Sequence, residues 1–287
     1  MGVVRVLVTG GAGRIGRWVV RELVAHQHAV TIYDRVPPSE QPAGVEYKLG
    51  DCDDLGGVYD VMRGHDAVIH LAAIPSNRHH PYPTVFRTNV VSTYNVGEAA
   101  GRLGLRTMVA ASSINALGIT MAERPFNPRY LPIDEEHPRL PQDAYSLTKL
   151  VDEEILAALH RRTGLRTIAI RPPLMLYGNP AAEGAAVRER LDRPELAARV
   201  MWVYCDVRDL ATGFRLAVEN ETLGNEAFFI TADDALARQP LAELLPRFFP
   251  GTEEMAKGLT GTSPAVTSAK AKRLLGYQPR HSWREYA

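Results

Sequence analysis

Tyr145 and Lys149 stand four residues apart in the segment Tyr145-Ser146-Leu147-Thr148-Lys149. On a helix, positions i and i+4 share a face, so the two side chains project together. The pairing has a chemical use. A free phenol, with a pKa of about 10, is a poor base at neutral pH, and a nearby ammonium stabilises its phenolate. Leu147, Leu150, Val151 and Ile155 form a separate apolar stripe on the same segment. Alone, a Tyr-x-x-x-Lys match often arises by chance on a helix surface, so its weight depends on what else the chain carries. Ser112 and Ser113 end an apolar run. One hydroxyl there is expected to hold a reacting oxygen beside Tyr145, and the other to shape the turn.

The first apolar run leads into Thr9-Gly10-Gly11-Ala12-Gly13-Arg14-Ile15-Gly16, and an amphipathic segment follows at once. Glycines let a backbone turn sharply and approach a pyrophosphate with no Cβ in the way. The helix N-terminus beyond supplies unpaired N–H groups and a positive dipole end. Two spacings fit: Gly11-x-Gly13-x-x-Gly16 and Gly10-x-x-Gly13-x-x-Gly16. Asp34 closes the second apolar run, where a carboxylate accepts from ribose hydroxyls and repels a 2′-phosphate, which favours NAD over NADP. Arg35 beside it is able to pair with that phosphate. Gly50-Asp51 ends the third run, where the acid either reaches the adenine or forms a turn.

These motifs need elements to hold them. Expected strands are Val3–Thr9, Val30–Tyr33, Val45–Leu49, Ala67–Leu71, Thr107–Ser112, Thr167–Arg171 and Ala227–Ile230. Expected helices run near Arg14–His26, Leu55–Arg63, Thr84–Leu103, Ala144–Thr163 and Val207–Asn220. The alternation predicts an α/β fold, a doubly wound parallel (Rossmann) sheet with a small C-terminal substrate lobe. The first, fourth and fifth strands are nearly all apolar, as strands covered on both faces should be. Residues 1–171, completed by about 201–231, would bind the nucleotide; residues 172–200 and 232–287 would form the lobe. Arg124–Pro141 carries five prolines and must be an irregular loop, placed where it could cover a substrate pocket.

The 287 residues hold 33 Lys+Arg and 33 Asp+Glu, a balance that gives no electrostatic case for nucleic acid or an anionic membrane. Two cysteines allow no disulfide framework and no paired metal motif, which fits a reducing cytoplasm. No long apolar stretch suggests a leader or a membrane span. His79 and His80 are adjacent and do not converge easily on a metal, so none is expected. Asp206 and Asp209 read as helix caps, and Asp134-Glu135-Glu136 as a solvated run.

The Thr9–Gly16 loop, Asp34, Gly50-Asp51, His70-Leu71-Ala72-Ala73, Asn89, Ser112-Ser113, Tyr145/Lys149 and Arg171-Pro172-Pro173 together resemble the successive motifs of the extended short-chain dehydrogenases, the NAD-dependent epimerase/dehydratase family. The resemblance implies Tyr145 as acid/base, Lys149 as its partner and Ser113 as the substrate-orienting hydroxyl. It implies that Gly10, Gly13, Arg14, Ile15, Gly16, Asp34, Asp51, Cys52, Leu71, Ala72, Ala73, Asn89 and Pro173 line the cofactor with Tyr145 and Lys149. Ser76, Asn77, Arg78, Ser112, Ser113 and Asn115 are the expected substrate contacts. It also implies a homodimer paired through the Thr84–Leu103 and Ala144–Thr163 helices. Leu117 stands where the family pattern has an aromatic. The stretch from Tyr177 to Met201 is shorter than in nucleotide-sugar epimerases, so the chain is more similar to the uronate dehydrogenase branch.

The expected activity is NAD-dependent hydride transfer at a hydroxyl-bearing carbon of a sugar or sugar acid. An epimerase or dehydratase with tightly bound NAD is the alternative, and a non-catalytic nucleotide sensor a third reading.

Overall fold

The structure, a computed structural model, describes residues 2–287. Seven strands form one parallel sheet: β1 (Arg5–Thr9), β2 (Ala29–Asp34), β3 (Glu46–Leu49), β4 (Ala67–His70), β5 (Thr107–Ala111), β6 (Arg166–Arg171) and β9 (Asn225–Phe229). Their order across the sheet is β3-β2-β1-β4-β5-β6-β9. The chain winds outward from β1 to β3, then returns to β1's other side and winds the opposite way. Between β1 and β4 lies the reversal point, and ligands of such sheets bind outside the carboxyl ends of the strands there.

Helices cover both faces. Val19, Val20 and Leu23 of α1 (Gly16–Ala25) meet Leu210 and Phe214 of α7 (Val207–Glu219) over one face. On the other face, α2 (Leu55–Met62), α3 (Tyr82–Arg102) and α4 (Ala144–Thr163) bury Met62, Val96 and Leu156 against Leu7, Val68 and Met108. Each expected strand and helix of the sheet layer is present. The third helix starts two residues earlier than expected, because Pro83 fits its first turn, where no N–H bond is lost.

The carboxyl end carries the elements that sequence patterning left unresolved. A second, two-stranded parallel pair joins β7 (Leu174–Leu176) to β8 (Tyr204–Asp206). Between them run α5 (Pro180–Asp192) and α6 (Glu195–Ala198). After β9 come α8 (Leu241–Phe248), α9 (Glu253–Ala256) and α10 (Ala269–Leu275). Trp202, Phe229, Leu244, Leu245 and Val266 make a separate core there, together with Leu117, which is fully buried. The Pro-rich loop belongs to this core and lies away from the cleft described below. Ile133 donates to Ala265 and accepts from Thr267.

Candidate active site

The glycine loop is held from both sides. Gly10 donates to the Tyr33 carbonyl at 3.0 Å, and Ala12 donates to Asp34 Oδ2 at 3.0 Å. Gly10 has φ +71, and a Cβ on it would meet Ala72 N at 2.6 Å. A Cβ on Gly16 would strike the Gly10 carbonyl. At the start of α1, Ile15 makes no side-chain cap bond and the first turn has no acidic residue, so this end is left for an anion.

Beside the loop opens a cavity of about 250 Å³ lined by Gly10, Gly13, Asp34, Asp51, Cys52, Leu71, Ala72 and Ala73, with Tyr33, Thr88 and Ser92. Leu71 and Ala73 also line the next cleft, so the two spaces adjoin. This cleft, about 600 Å³, takes Arg14, Ile15 and Pro173 on one side and Ser112, Ser113, Asn115, Tyr145 and Lys149 on the other. Cradle, acidic strand end and cavity fit a dinucleotide.

Tyr145 sits in the first turn of α4, behind its cap. Asp143 accepts from Ser146 N at 3.0 Å and from Asn77 Nδ2 at 2.7 Å. Asn77 Oδ1 in turn accepts from Tyr145 N at 3.0 Å. Burial pushes the Tyr145 phenol up, while the Lys149 charge and a hydrogen bond with Ser113 pull it back. Lys149 Nζ donates to the Ala111 carbonyl at 2.9 Å and to Asp152 Oδ2 at 3.0 Å. Neither side chain lies on the helix surface: Tyr145 is 8% and Lys149 4% exposed.

The two serines part company. Ser113 accepts from Asn115 N at 3.1 Å, which leaves its own proton to point at Tyr145. Ser112 donates to buried Glu153 at 2.6 Å, and Glu153 is bound by Arg171 at 2.7 Å.

Four expected contacts stand elsewhere. Asn89 has its amide engaged with Ile74 N at 2.7 Å, the Ile74 carbonyl at 3.1 Å and Thr148 at 3.3 Å, so it ties the loop after β4 to α4 rather than lining the cofactor cavity. Asn77 latches the start of α4 as described. Ser76 accepts from Arg78 N at 3.4 Å, and Arg78 is exposed. None of these three lines the cleft. Two acidic readings also change. Asp206 caps α7, but Asp209 accepts from Arg280 N and His281 N and so anchors the carboxyl-terminal segment. Glu135 is half-buried and accepts from Phe229 N at 2.8 Å, so it is not a solvated acid.

Sequence reasoning missed the far wall of the cleft. Leu174, Met175, Leu176 and Tyr177 line it, and α5 adds Ala182, Glu183, Ala186, Val187 and Arg190. Arg14 stacks over the Tyr177 ring at 3.6 Å, bridging the glycine loop and this wall. The one available signal was the Ala182/Ala186/Arg190 spacing, two small residues and an arginine at i, i+4, i+8.

A dinucleotide cradle that opens beside a buried tyrosine, lysine and serine defines an oxidoreductase of the short-chain dehydrogenase type. The family model described as "NAD dependent epimerase/dehydratase family" matches residues 6–230. The chain is 30% identical to an L-arabinose 1-dehydrogenase (NAD(P)(+)) of Haloferax volcanii, over 75% of this chain and 82% of that one. It is 27% identical to a uronate dehydrogenase of Pseudomonas putida over 58% of this chain and 59% of that one. A UDP-glucose 4-epimerase of Lactobacillus helveticus matches at 25% over 96% and 92%. A short-chain dehydrogenase/reductase superfamily protein from Agrobacterium tumefaciens, solved with bound NAD, superposes with a TM-score of 0.75 at 23% identity, over 98% of this chain and 94% of that one. This chain belongs to the NAD-dependent epimerase/dehydratase family, and NAD is its cofactor. Among the described residues no helix is long and apolar enough to cross a membrane.

Proposed function

We propose that the protein is a dehydrogenase that oxidises a secondary alcohol or hemiacetal of a free sugar or sugar acid. The observation that carries the reading is Tyr145, with Lys149 behind it and Ser113 beside it, on a cleft adjoining the nucleotide cavity. Tyr145 takes the substrate hydroxyl proton, Ser113 holds the oxygen in line, and Lys149 favours the phenolate. Bound NAD supplies the hydride acceptor. Gly10, Gly13, Arg14, Ile15 and Gly16 face the pyrophosphate, and Asp34 the adenosine ribose. Asp51 and Cys52 lie at the adenine end, with Leu71, Ala72, Ala73 and Pro173 along the nicotinamide half. Asp34 favours NAD over NADP.

Arg190 supports an acidic substrate. It lies on the cleft with no carboxylate within 4 Å among the described residues, and donates only to the Ala186 carbonyl. The division of labour is part of the same reading: residues 1–171 with about 201–231 for the nucleotide, residues 172–200 and 232–287 for the substrate. So are a cytoplasmic location and a homodimer. The dimer is supported by Phe86 and Tyr94 of α3 and Leu147 of α4, large apolar side chains left 37 to 46% exposed.

Free uronates, aldoses and nucleotide sugars, each offered with NAD and followed at the NADH absorbance, test the proposal. Net NADH is expected from a uronate or aldose. Turnover of a nucleotide sugar without net NADH would make the epimerase reading the correct one, and NAD binding with no turnover would point to a sensor.

A further inference from the structure

Lys149 is not a free cation. Two of its three N–H donors are fixed, one on Ala111 of β5 and one on Asp152, three residues on in α4. The ion pair is sealed from water, with side-chain exposures of 5% and 3%. The other Asp152 oxygen, Oδ1, is buried with no well-formed hydrogen bond, and only the Thr93 hydroxyl of α3 faces the carboxyl. A carboxylate buried this deeply is costly even when paired, and an apolar residue would pack at such a helix position without that penalty. Its presence against the ammonium therefore points to a role in the site.

We propose that Asp152 is a positioning residue for Lys149: it draws the ammonium back toward β5 and offsets its charge, and so sets how strongly the lysine acts on the Tyr145 phenol. The proposal rests on Tyr145 being the acid/base. Burial alone would lower Lys149, but Asp152 and the phenol hold it raised, so the lysine stays charged. Asp152 opposes Lys149 in its effect on Tyr145. The other charged groups near the pair are fixed. Asp143 caps α4. Glu153 is held by Arg171 and Arg139. His70 on β4, pushed down to about 3 by burial, is neutral at working pH. From α3, the neutral Thr93 hydroxyl faces Asp152.

The test compares Asp152→Asn with the parent. The ultraviolet tyrosinate difference between each protein and its own Tyr145→Phe partner isolates the ionisation of Tyr145, with NAD bound and no substrate required. The midpoint is expected to fall by about one pH unit in Asp152→Asn, a tenfold change in the acid constant. Asp152→Glu, which keeps the charge, should stay near the parent. Once a substrate is in hand, the rising limb of kcat against pH should move the same way, which a loss of packing alone would not produce. If the asparagine variant does not fold, Asp152→Thr supplies the uncharged comparison. An unmoved or raised midpoint in the uncharged variant overturns the proposal. Because the titration uses no substrate, that result leaves the dehydrogenase reading standing; full activity in Tyr145→Phe would instead remove the reading and the premise together.

Discussion

Tyr145 and Lys149 were legible because their spacing is local: a helix face follows from two positions alone. Tyr145→Phe deletes one oxygen and keeps the ring. It should lower kcat by about 10²–10⁴-fold while NAD still binds by calorimetry. The bonds that Asn89 and Asn77 make were not legible, for the opposite reason. Each amide meets partners 15 to 68 residues away, and no pattern in one sequence reports such pairings. His70 carries a consequence of its own. It is 4% exposed, bonded through Nδ1 to Thr9 Oγ1 at 2.7 Å, and its Nε2 is buried without a partner. Burial lowers it from 6.5 to about 3. The unfolded chain then takes up a proton below pH 6.5 that the folded chain refuses down to about 3, so stability falls as pH drops through that window. Thermal melting from pH 7 downward should show this slope, and His70→Asn should flatten it. An equal slope in the variant would assign the acid sensitivity to other groups.

Strands and helices of the sheet layer were readable from apolar runs and amphipathic periods. Those near the cleft's far wall were not, since β7 and β8 have three residues each and α6 has four, too short for either period to register. The start of α4 shows how an element carries chemistry. Asp143 caps it while accepting from Asn77, which also binds the Tyr145 amide. The bonds thus fix both where the helix begins and where Tyr145 stands. Asp143→Ala should remove about 1–3 kcal/mol of stability by denaturant titration and lower kcat as well. Asp143→Asn, which still accepts from Ser146, should recover most of the stability. Loss of stability with kcat unchanged would show that the first turn re-forms without its cap.

In the assembled molecule, Tyr82, Phe86 and Tyr94 share one stripe of α3 at multiples of four, next to α4 with exposed Leu147. A charge placed there should matter only if the face is covered. Phe86→Glu with Leu147→Glu should convert the protein from dimer to monomer in light scattering, with the far-ultraviolet spectrum unchanged. A parent protein that is already monomeric would remove the dimer from the proposal. Charge balance and cysteine count say nothing of a docking face, which depends on which side chains the packed helices leave outside, and that is decided only in three dimensions.

Helix α5 divides its side chains between a core and the cleft. Gly184 and Leu191 turn inward, Leu191 packs with Trp283 and Tyr286, and Val187 reaches both that core and the cleft. Ala182, Glu183, Ala186 and Arg190 line the cleft, and all four lie outside the nucleotide cavity. If the proposed substrate lies against this wall, its preference can be rewritten there while the nucleotide cavity is left alone. A library at 182, 186 and 190 should therefore yield variants whose KM values spread widely across sugars and sugar acids. Their NAD affinity and melting temperature should stay near the parent's. Arg190→Ala is expected to raise KM for anionic substrates about tenfold or more with little change for neutral ones. On the proposed reading, specificity is a replaceable face on a fixed drive, and new substrates are to be sought by changing one helix rather than the sheet.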